Sequence, residues 1–287
     1  MQTAAQRSYE RRDPDRIYAE VVVGGIRTAC LSRAQMTRLM VGDCLAARGG
    51  RRSAKLVFAS NGHAIATARN NAGFRRNFEA ADIVHADGQP VVVASRLMTA
   101  TPIPERTATT DFIHDAAGMA RTHGLRFFLF GSTEEVNARC AERLREIYPG
   151  LKIVGRRDGY FSPEQEDEIV DEINAADADV VWVALGVPKE YDFCLRHKDR
   201  LKAGWVVTAG GCFNFVTGHY RRAPKWIQAA SLEWAYRLWR EPKRLWRRYV
   251  LTNPIALFTI LTRTASYTGL LGHAPAEAAK GASQKAG

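Results

Sequence analysis

Ala81-Asp-Ile-Val-His-Ala-Asp-Gly-Gln-Pro90 is the stretch on which the fold class of this chain turns. The apolar run Ile83 to Ala86 reads as a strand, Asp87-Gly88 ends it, and Pro90 starts a helical run, Val91 to Met98. A carboxylate on the carboxyl edge of a parallel strand points into the crevice where open α/β sheets bind ligands. The helix behind it offers free N–H groups and a positive dipole end to an anion. Base and phosphate cradle are then neighbours. An Asp-Gly turn or a helix cap accounts for the same residues, and the segment alone leaves both readings open.

Outward from this segment, apolar strand-like runs alternate with helical ones. The strands are Leu56–Ala59, Ile83–Ala86, Arg126–Phe130, Leu151–Val154, Val180–Ala184 and Trp205–Thr208. The helices are Ala64–Phe78, Pro90–Met98, Phe112–Arg121, Glu134–Ile147, Pro163–Ala175 and Glu190–Leu201. Strands that are apolar throughout, separated by helices, predict a doubly wound, Rossmann-like and mainly parallel sheet covered on both faces. The crevice is then lined by the strand ends Ser60-Asn61-Gly62, Asp87-Gly88, Gly131-Ser132, Gly155, Leu185-Gly186 and Ala209-Gly210-Gly211. Upstream, Tyr18 to Val23 and Ile26 to Cys30 flank Gly24-Gly25 as a short hairpin.

The alternation stops near Gly218, and an Arg- and Trp-rich helical region follows, with breaks expected at Pro242 and Asn253-Pro254. The expected organisation is a flexible terminus over 1–16, an α/β catalytic core over 17–218, a basic helical appendage over 219–273 and a disordered tail over 274–287. The 287 residues and 46% hydrophobic content allow a sizeable core. Five scattered cysteines without a C-x-x-C pair suggest neither a disulfide framework nor a zinc site, and fit a reducing cytoplasm. Met1 to Arg16 lacks the apolar segment of a signal peptide, and Ile255 to Leu261 is far shorter than the roughly 20 residues that span a bilayer. Net charge is +11, and the block from His219 to Tyr249, with nine Lys or Arg against Glu233 and Glu241, carries +7 of it.

No G-x-G-x-x-G or Walker sequence is present. Asp177-Ala-Asp179 has the D-x-D form of a divalent-ion site, but it stands before its strand, at the edge opposite the crevice, so it reads as a cap or solvated turn. His63, His85, His114, His123 and His197 show no metal-ligand spacing, and no metal is expected. Trp226, Trp234, Trp239 and Trp246 interleave with the basic block, a pattern that suits anionic head groups, or equally packing on the core. Nucleic acid is the rival partner for such charge. With each basic residue near anionic lipid worth about 1 kcal/mol, the block predicts peripheral, largely electrostatic attachment that salt releases.

From Val57 to Tyr249 the chain resembles the WecG/TagA/CpsF glycosyltransferases, glycosyltransferase family 26. The resemblance is carried by Phe58-Ala-Ser-Asn61, Ala81-Asp-x-Val-x-x-Asp-Gly88, Ser95-Arg-Leu97, Glu105-Arg106 before Thr109-Thr-Asp111, Phe128-Leu-Phe-Gly-Ser132, and Tyr148 to Gly155 with Gly159-Tyr-Phe161. It continues through Leu185-Gly-Val-Pro-Lys189, Gly211-Cys-Phe-Asn-Phe215 with Gly218, Arg222-Ala-Pro224, Leu232-Glu-Trp-x-Tyr-Arg-Leu238 and Glu241-Pro-x-Arg-Leu-Trp-Arg-Arg-Tyr249. The resemblance implies an inverting, metal-independent transferase. It moves a sugar, N-acetylmannosamine, glucose or similar, from a UDP-sugar to a polyprenyl-diphosphate-linked sugar in bacterial envelope or exopolysaccharide synthesis. It places the enzyme on the inner face of the plasma membrane, docked through the appendage.

The family's proposed base falls on Asp87. The matched motifs put Ser60, Asn61, Gly88, Arg106, Asp111, Gly131, Gly186, Lys189 and Glu190 forward as substrate-binding residues. Arg222, Arg244, Arg247 and Arg248 are the candidates from the appendage for the leaving diphosphate. Two positions depart from the family pattern: Ala59, beside Ser60, stands where Thr is usual, and Glu190 stands where Gln is usual. The expected partners are a UDP-sugar, the lipid-linked acceptor and an anionic membrane surface, without nucleic acid, and a homo-oligomer is left open. The alternative is a non-catalytic nucleotide-binding module docking through its basic tail.

Overall fold

The structure, a computed structural model, describes residues 18–50 and 54–266. The hairpin is present as β1, Glu20–Val23, and β2, Ile26–Ala29, paired antiparallel. Then come β3, Lys55–Ser60; β4, Ile83–Ala86; β5, Arg126–Gly131; β6, Lys152–Arg157; β7, Val180–Ala184; and β8, Trp205–Thr208. These six form one all-parallel sheet in the order β4-β3-β8-β7-β5-β6. A two-residue strand, β9, Ala265–Ser266, returns to β1 and completes a small antiparallel sheet.

Apart from the edge strand β6, which has no buried residue, the parallel sheet is buried on both faces because its strands carry apolar side chains in both directions. Along β7, Val181 and Val183 enter one apolar layer, while Val180, Trp182 and Ala184 enter the other. The first layer is closed by α2, Gly62–Asn70; α3, Ala72–Ala80; α4, Gln89–Met98; α7, Glu166–Ala175; and α8, Lys189–Arg196. The second is closed by α1, Arg33–Arg48; α5, Thr109–His123; α6, Glu134–Ile147; and α9, Cys212–Val216. Trp182 is fully buried between Phe112 and Phe127, with ring centroids 5.6 and 5.7 Å away. Removing a ring so placed typically costs about 3–5 kcal/mol. Three helices follow: α10, Lys225–Ala229; α11, Glu233–Arg240; and α12, Pro242–Thr262. α12 lies along α2, close enough that a Cβ on Gly62 would be 3.6 Å from that of Ala256.

The chain leaves β5 toward β6 at one edge, but leaves the adjacent β7 back toward β8. The carboxyl ends of β5 and β7 therefore diverge into a crevice.

Several local expectations change. The helix expected over Ala64–Phe78 is two helices, because Asn71 ends α2 and its Oδ1 accepts the Phe74 N–H at 3.0 Å to cap α3. α1 was not foreseen. Its signal is the capping box of Ser32 and Gln35, which hides in a stretch of weak apolar periodicity. Gly155 lies inside β6 and not at the crevice: a Cβ there would be 2.4 Å from the Phe128 ring, beside the register shift between β5 and β6. α8 stops at Arg196, short of the expected Leu201. The chain does break before Pro242, which takes the first position of α12, but α12 runs through Pro254. Pro254 and Val250, whose carbonyl it leaves without a donor, are both exposed. Asp179 is no solvated turn either. It is 3% exposed and takes bidentate hydrogen bonds from Arg48 at 2.7 and 2.6 Å, with Arg126 beside it. The expectations for 1–16 and 274–287 lie outside the described residues.

Candidate functional site

Asp87 stands immediately after β4, half-buried, with both carboxylate oxygens engaged. Oδ2 accepts from Asn61 Nδ2 at 3.0 Å, and Oδ1 accepts the backbone N–H of Thr109 at 2.9 Å. Asn61 does two things at once. Its Oδ1 caps α2 through the Ala64 N–H at 3.0 Å, which leaves its amide N–H group aimed at Asp87. The N–H groups of Asp87 and Gly88 both donate to the Ser60 carbonyl, at 2.9 and 3.1 Å, and lock the ends of β3 and β4 together. Gly88 suits that approach, since a Cβ would make a tight contact, 3.1 Å, with Asn61 Cα and Cβ.

Thr109 opens α5, whose preceding residue, Ala108, has no side chain able to cap it. Asp87 supplies that cap from the end of β4, so it caps a helix distant in sequence and not the one that follows it, which starts after Gly88 without a side-chain cap. The loop is held by His85, whose buried Nδ1 donates to the Thr107 carbonyl at 2.7 Å, and by the Thr107 N–H on the Ala86 carbonyl at 2.9 Å. A carboxylate has about four acceptor sites, and two are used. The others remain for an incoming hydroxyl.

Glu190 is 2% exposed, and its Oε2 accepts from Gly186 and Gly210, at 3.0 and 2.9 Å. Both glycines have positive φ, 78° and 50°, where the chain turns off β7 and β8. One carboxylate thus fastens the two loops that border the crevice. Burial pushes its carboxyl up to about 7, and the Asp87 charge adds to that, against the backbone N–H groups of Gly210 and Gly186.

At the β5/β7 divergence a cavity of about 520 Å³ opens, bordered by Ser132, Gly159, Tyr160, Phe161, Leu185 and Lys189. Gly131 holds it open at φ 118°, where a Cβ would be 2.4 Å from the Ala184 carbonyl. Ser132 N–H donates to Ala184, and Gly159 N–H to Ser132, at 2.9 and 2.8 Å. Phe161 packs on Phe130 at 5.5 Å, leaving the Tyr160 ring 78% exposed at the rim. Tyr160 was not among the expected site residues. Its signal in the sequence is its place in Gly159-Tyr-Phe161, one of the motifs that carry the resemblance, in the loop beyond a strand.

Arg106, Asp111 and Arg222 come together, but with each other. Arg222 pairs with Asp111 through both guanidinium nitrogens, and its Nη2 reaches Gln228 Oε1 at 2.9 Å. Arg106 donates to Glu233 at 2.7 Å and to Gln228 at 2.8 Å. Burial raises the Asp111 carboxyl, but the bond and charge of Arg222 outweigh it and hold it below the usual range. This network joins the start of α5 to α10 and α11. Arg248 lies near His63, whose imidazole is pushed down to about 4 by burial and by the Arg248 charge. Arg247 is exposed, its guanidinium 5.9 Å from the Trp246 ring, and the Arg244 side chain is outside the described ones. Among the described residues no three His, Cys, Asp or Glu side chains are grouped to hold a metal ion.

The crevice therefore presents an oriented carboxylate at one end, a cavity with an aromatic rim at the other and loops tied together between them. The model of the family described as "Glycosyl transferase WecG/TagA/CpsF family" matches residues 21–268. The chain belongs to that family and is a glycosyltransferase.

Proposed function

We propose that this member of the family transfers a sugar with inversion from a UDP-sugar to a polyprenyl-diphosphate-linked acceptor at a membrane surface. The observation that carries the reading is Asp87, held by Asn61 and by the start of α5 on the same crevice edge as the β5/β7 cavity. The acceptor hydroxyl gives its proton to the Asp87 carboxylate as its oxygen attacks the anomeric carbon. The bond from that carbon to the UDP oxygen breaks on the opposite face, and UDP leaves with the electron pair. Proton transfer of this kind typically contributes about 10²- to 10⁴-fold. UDP release measured with and without a lipid-linked sugar acceptor tests the reading. Release only with acceptor supports it, and UDP-sugar binding without release favours a binding module instead.

The cavity at β5/β7 is the uridine site in this reading, with the exposed Tyr160 ring as its stacking wall and Lys189 at its mouth. Stacking of a base on an aromatic ring is worth about 1–3 kcal/mol. Tyr160→Ala is expected to raise the KM for the UDP-sugar by roughly tenfold or more, with little change in the KM for acceptor. An equal rise in both would place the uridine elsewhere.

Membrane attachment, expected to be largely electrostatic, gains a larger apolar part. Val250, Leu251, Leu257, Phe258 and Leu261 of α12 are each 57–65% exposed, and their spacing puts them on one stripe. α4 lies against α12 and adds Leu97, 79% exposed. The exposed Arg240, Lys243 and Arg247 precede that stripe. Among the described residues no helix is long and apolar enough to cross a membrane. A helix of this pattern lies in the interface, where charge favours anionic lipid and apolar side chains enter it. The protein should cosediment with anionic vesicles more than with neutral ones, and 1 M salt, where the Debye length is about 3 Å, should release only part of it. Leu257→Glu with Phe258→Glu should abolish the salt-resistant part. Complete release of the wild type by salt would return attachment to charge alone.

A further inference from the structure

From Leu245 to Ile260, α12 buries Leu245, Tyr249, Ala256, Thr259 and Ile260, so one face of the helix is turned to the core. Ile260 enters the first apolar layer together with Ile65 of α2. Ala256, 5% exposed, is the smallest of the five and stands over Gly62, the first residue of α2, where a Cβ would be 3.6 Å from its own. Two small residues let the helices approach closely at that point. Near the other end of α2, the Arg69 guanidinium stands 5.7 Å from the Phe258 ring.

The neighbouring segments hold this contact in place. Ile65 of α2 lies beneath Gly24 in the β1–β2 turn, whose φ is 58° and where a Cβ would be 2.7 Å from Ile65 Cγ2. The chain just past α12 is tied to the same turn. There the Gly25 N–H donates to the Arg263 carbonyl at 2.8 Å, and the Gly24 N–H donates to Thr264 Oγ1 at 3.1 Å. β9 then pairs with β1, and the Ala100 N–H, past the end of α4, donates to Ser266 Oγ at 2.8 Å. α2 is thus held between the turn and α12, and α12 cannot slide along it without breaking these bonds.

The residue before Gly62 is Asn61, which caps α2 through the Ala64 N–H and donates to Asp87. A shift in the first turn of α2 moves the Asn61 side chain, and Asp87 follows it or loses the bond. Misplacement of a reacting group by about 1 Å can cost about 10²-fold in rate. We propose that Ala256 is a positioning residue: its contact with Gly62 fixes the first turn of α2, and Asn61 passes that position to the Asp87 carboxylate. α12 then sets the base by packing, whether or not a membrane is present. The proposal rests on the reading of Asp87 as the base.

Ala256→Leu drives a longer side chain into the first turn of α2. With a soluble, short-chain lipid-linked acceptor, kcat should fall roughly ten- to a hundredfold, while UDP binds as in the wild type, which reports an intact core. Ala256→Ser, close in volume, should recover most of the rate. A double-mutant cycle tests the route. Asn61→Ala should lower kcat by itself, and Ala256→Leu added to it should lower kcat little further. Independently of turnover, hydrogen exchange at the Ala64 and Thr109 N–H groups, which donate to Asn61 and Asp87, should speed up in Ala256→Leu. Thr264→Val with Ser266→Ala loosens the tie at the far end of α12 and should act in the same direction with a smaller effect. Wild-type kcat in Ala256→Leu, or rate losses that multiply in the double variant, would overturn the assignment. So would a lost rate with unchanged exchange at Ala64 and Thr109, since α12 would then reach the chemistry by another route. If Ala256→Leu does not fold, the pair at the far end decides, and wild-type kcat and exchange there overturn the assignment as well. Absence of transfer by the wild type with any lipid-linked acceptor, while exchange at the two amides still responds to Ala256→Leu, would sink the transferase reading and leave the packing contact standing.

Discussion

Asp87→Asn is expected to lower kcat by about two to four orders of magnitude while UDP-sugar still binds. The substitution is nearly isosteric, and its carbonyl can keep the Thr109 N–H that caps α5. The other contact is lost, because the new amide N–H group would face the N–H group of Asn61. Asn61 cannot turn to help, since its oxygen holds the Ala64 N–H at the start of α2. One unmade hydrogen bond between partly buried groups costs about 1–3 kcal/mol, so a lower Tm is expected beside the kinetic loss. Asp87→Ala removes the α5 cap as well and should be less stable than Asp87→Asn. The two readouts separate the two jobs of the residue. Turnover of Asp87→Asn at the wild-type rate, with only the Tm reduced, would make Asp87 a helix cap and remove the proposed base.

That double role explains why part of the site was legible in the sequence and part was not. Strand ends are legible because an apolar run that stops at Asp-Gly or Ser-Asn-Gly marks its own carboxyl edge; Ile83–Ala86 and Val180–Ala184 have the bounds read from sequence. The partner of Asp87 on α5 was invisible because it is a backbone N–H, which no residue type announces. The pairing of Arg222 with Asp111 was invisible for a related reason. Both residue types suit substrate phosphates and sugars, and only the fold shows that the 111-residue separation between them is closed. Asn71 escaped notice because the apolar periodicity runs on from Ala64 to Phe78 across it, and a cap inside a helical run looks like a polar position on its exposed face, although Asn70-Asn71 and Gly73 are cap and breaker residues. The resemblance to the family named the base, but the packing shows what holds it.

Glu190→Gln is expected to flatten the dependence of stability on pH between about 4.5 and about 7. Burial, then the charge of Asp87, raises the carboxyl of Glu190 from an ordinary 4.5 to about 7, against the backbone N–H groups that it accepts. The folded state therefore binds this proton more tightly than the unfolded state. The resulting stabilisation is fully present below about 4.5 and is lost as pH rises through about 7, where a buried carboxylate must carry its charge. A shift of this size corresponds to roughly 3 kcal/mol between the two ends of the window. Gln has no proton to lose there. Its oxygen can still accept from Gly186 and Gly210, because both bonds converge on one atom, Oε2. The variant should thus match the wild type near pH 4 and exceed it near pH 8. Unfolding free energies from urea titrations at the two pH values give the difference directly. The loops fastened by Glu190 also turn off β7 and β8 beside the crevice, so the wild type should become easier to unfold locally there above pH 7. Hydrogen exchange at Gly186 and Gly210 should speed up with pH beyond its intrinsic base catalysis in the wild type and not in the variant. Parallel stability curves for the two proteins would mean that Glu190 is already ionised in the fold at low pH, and that the backbone N–H groups outweigh its burial.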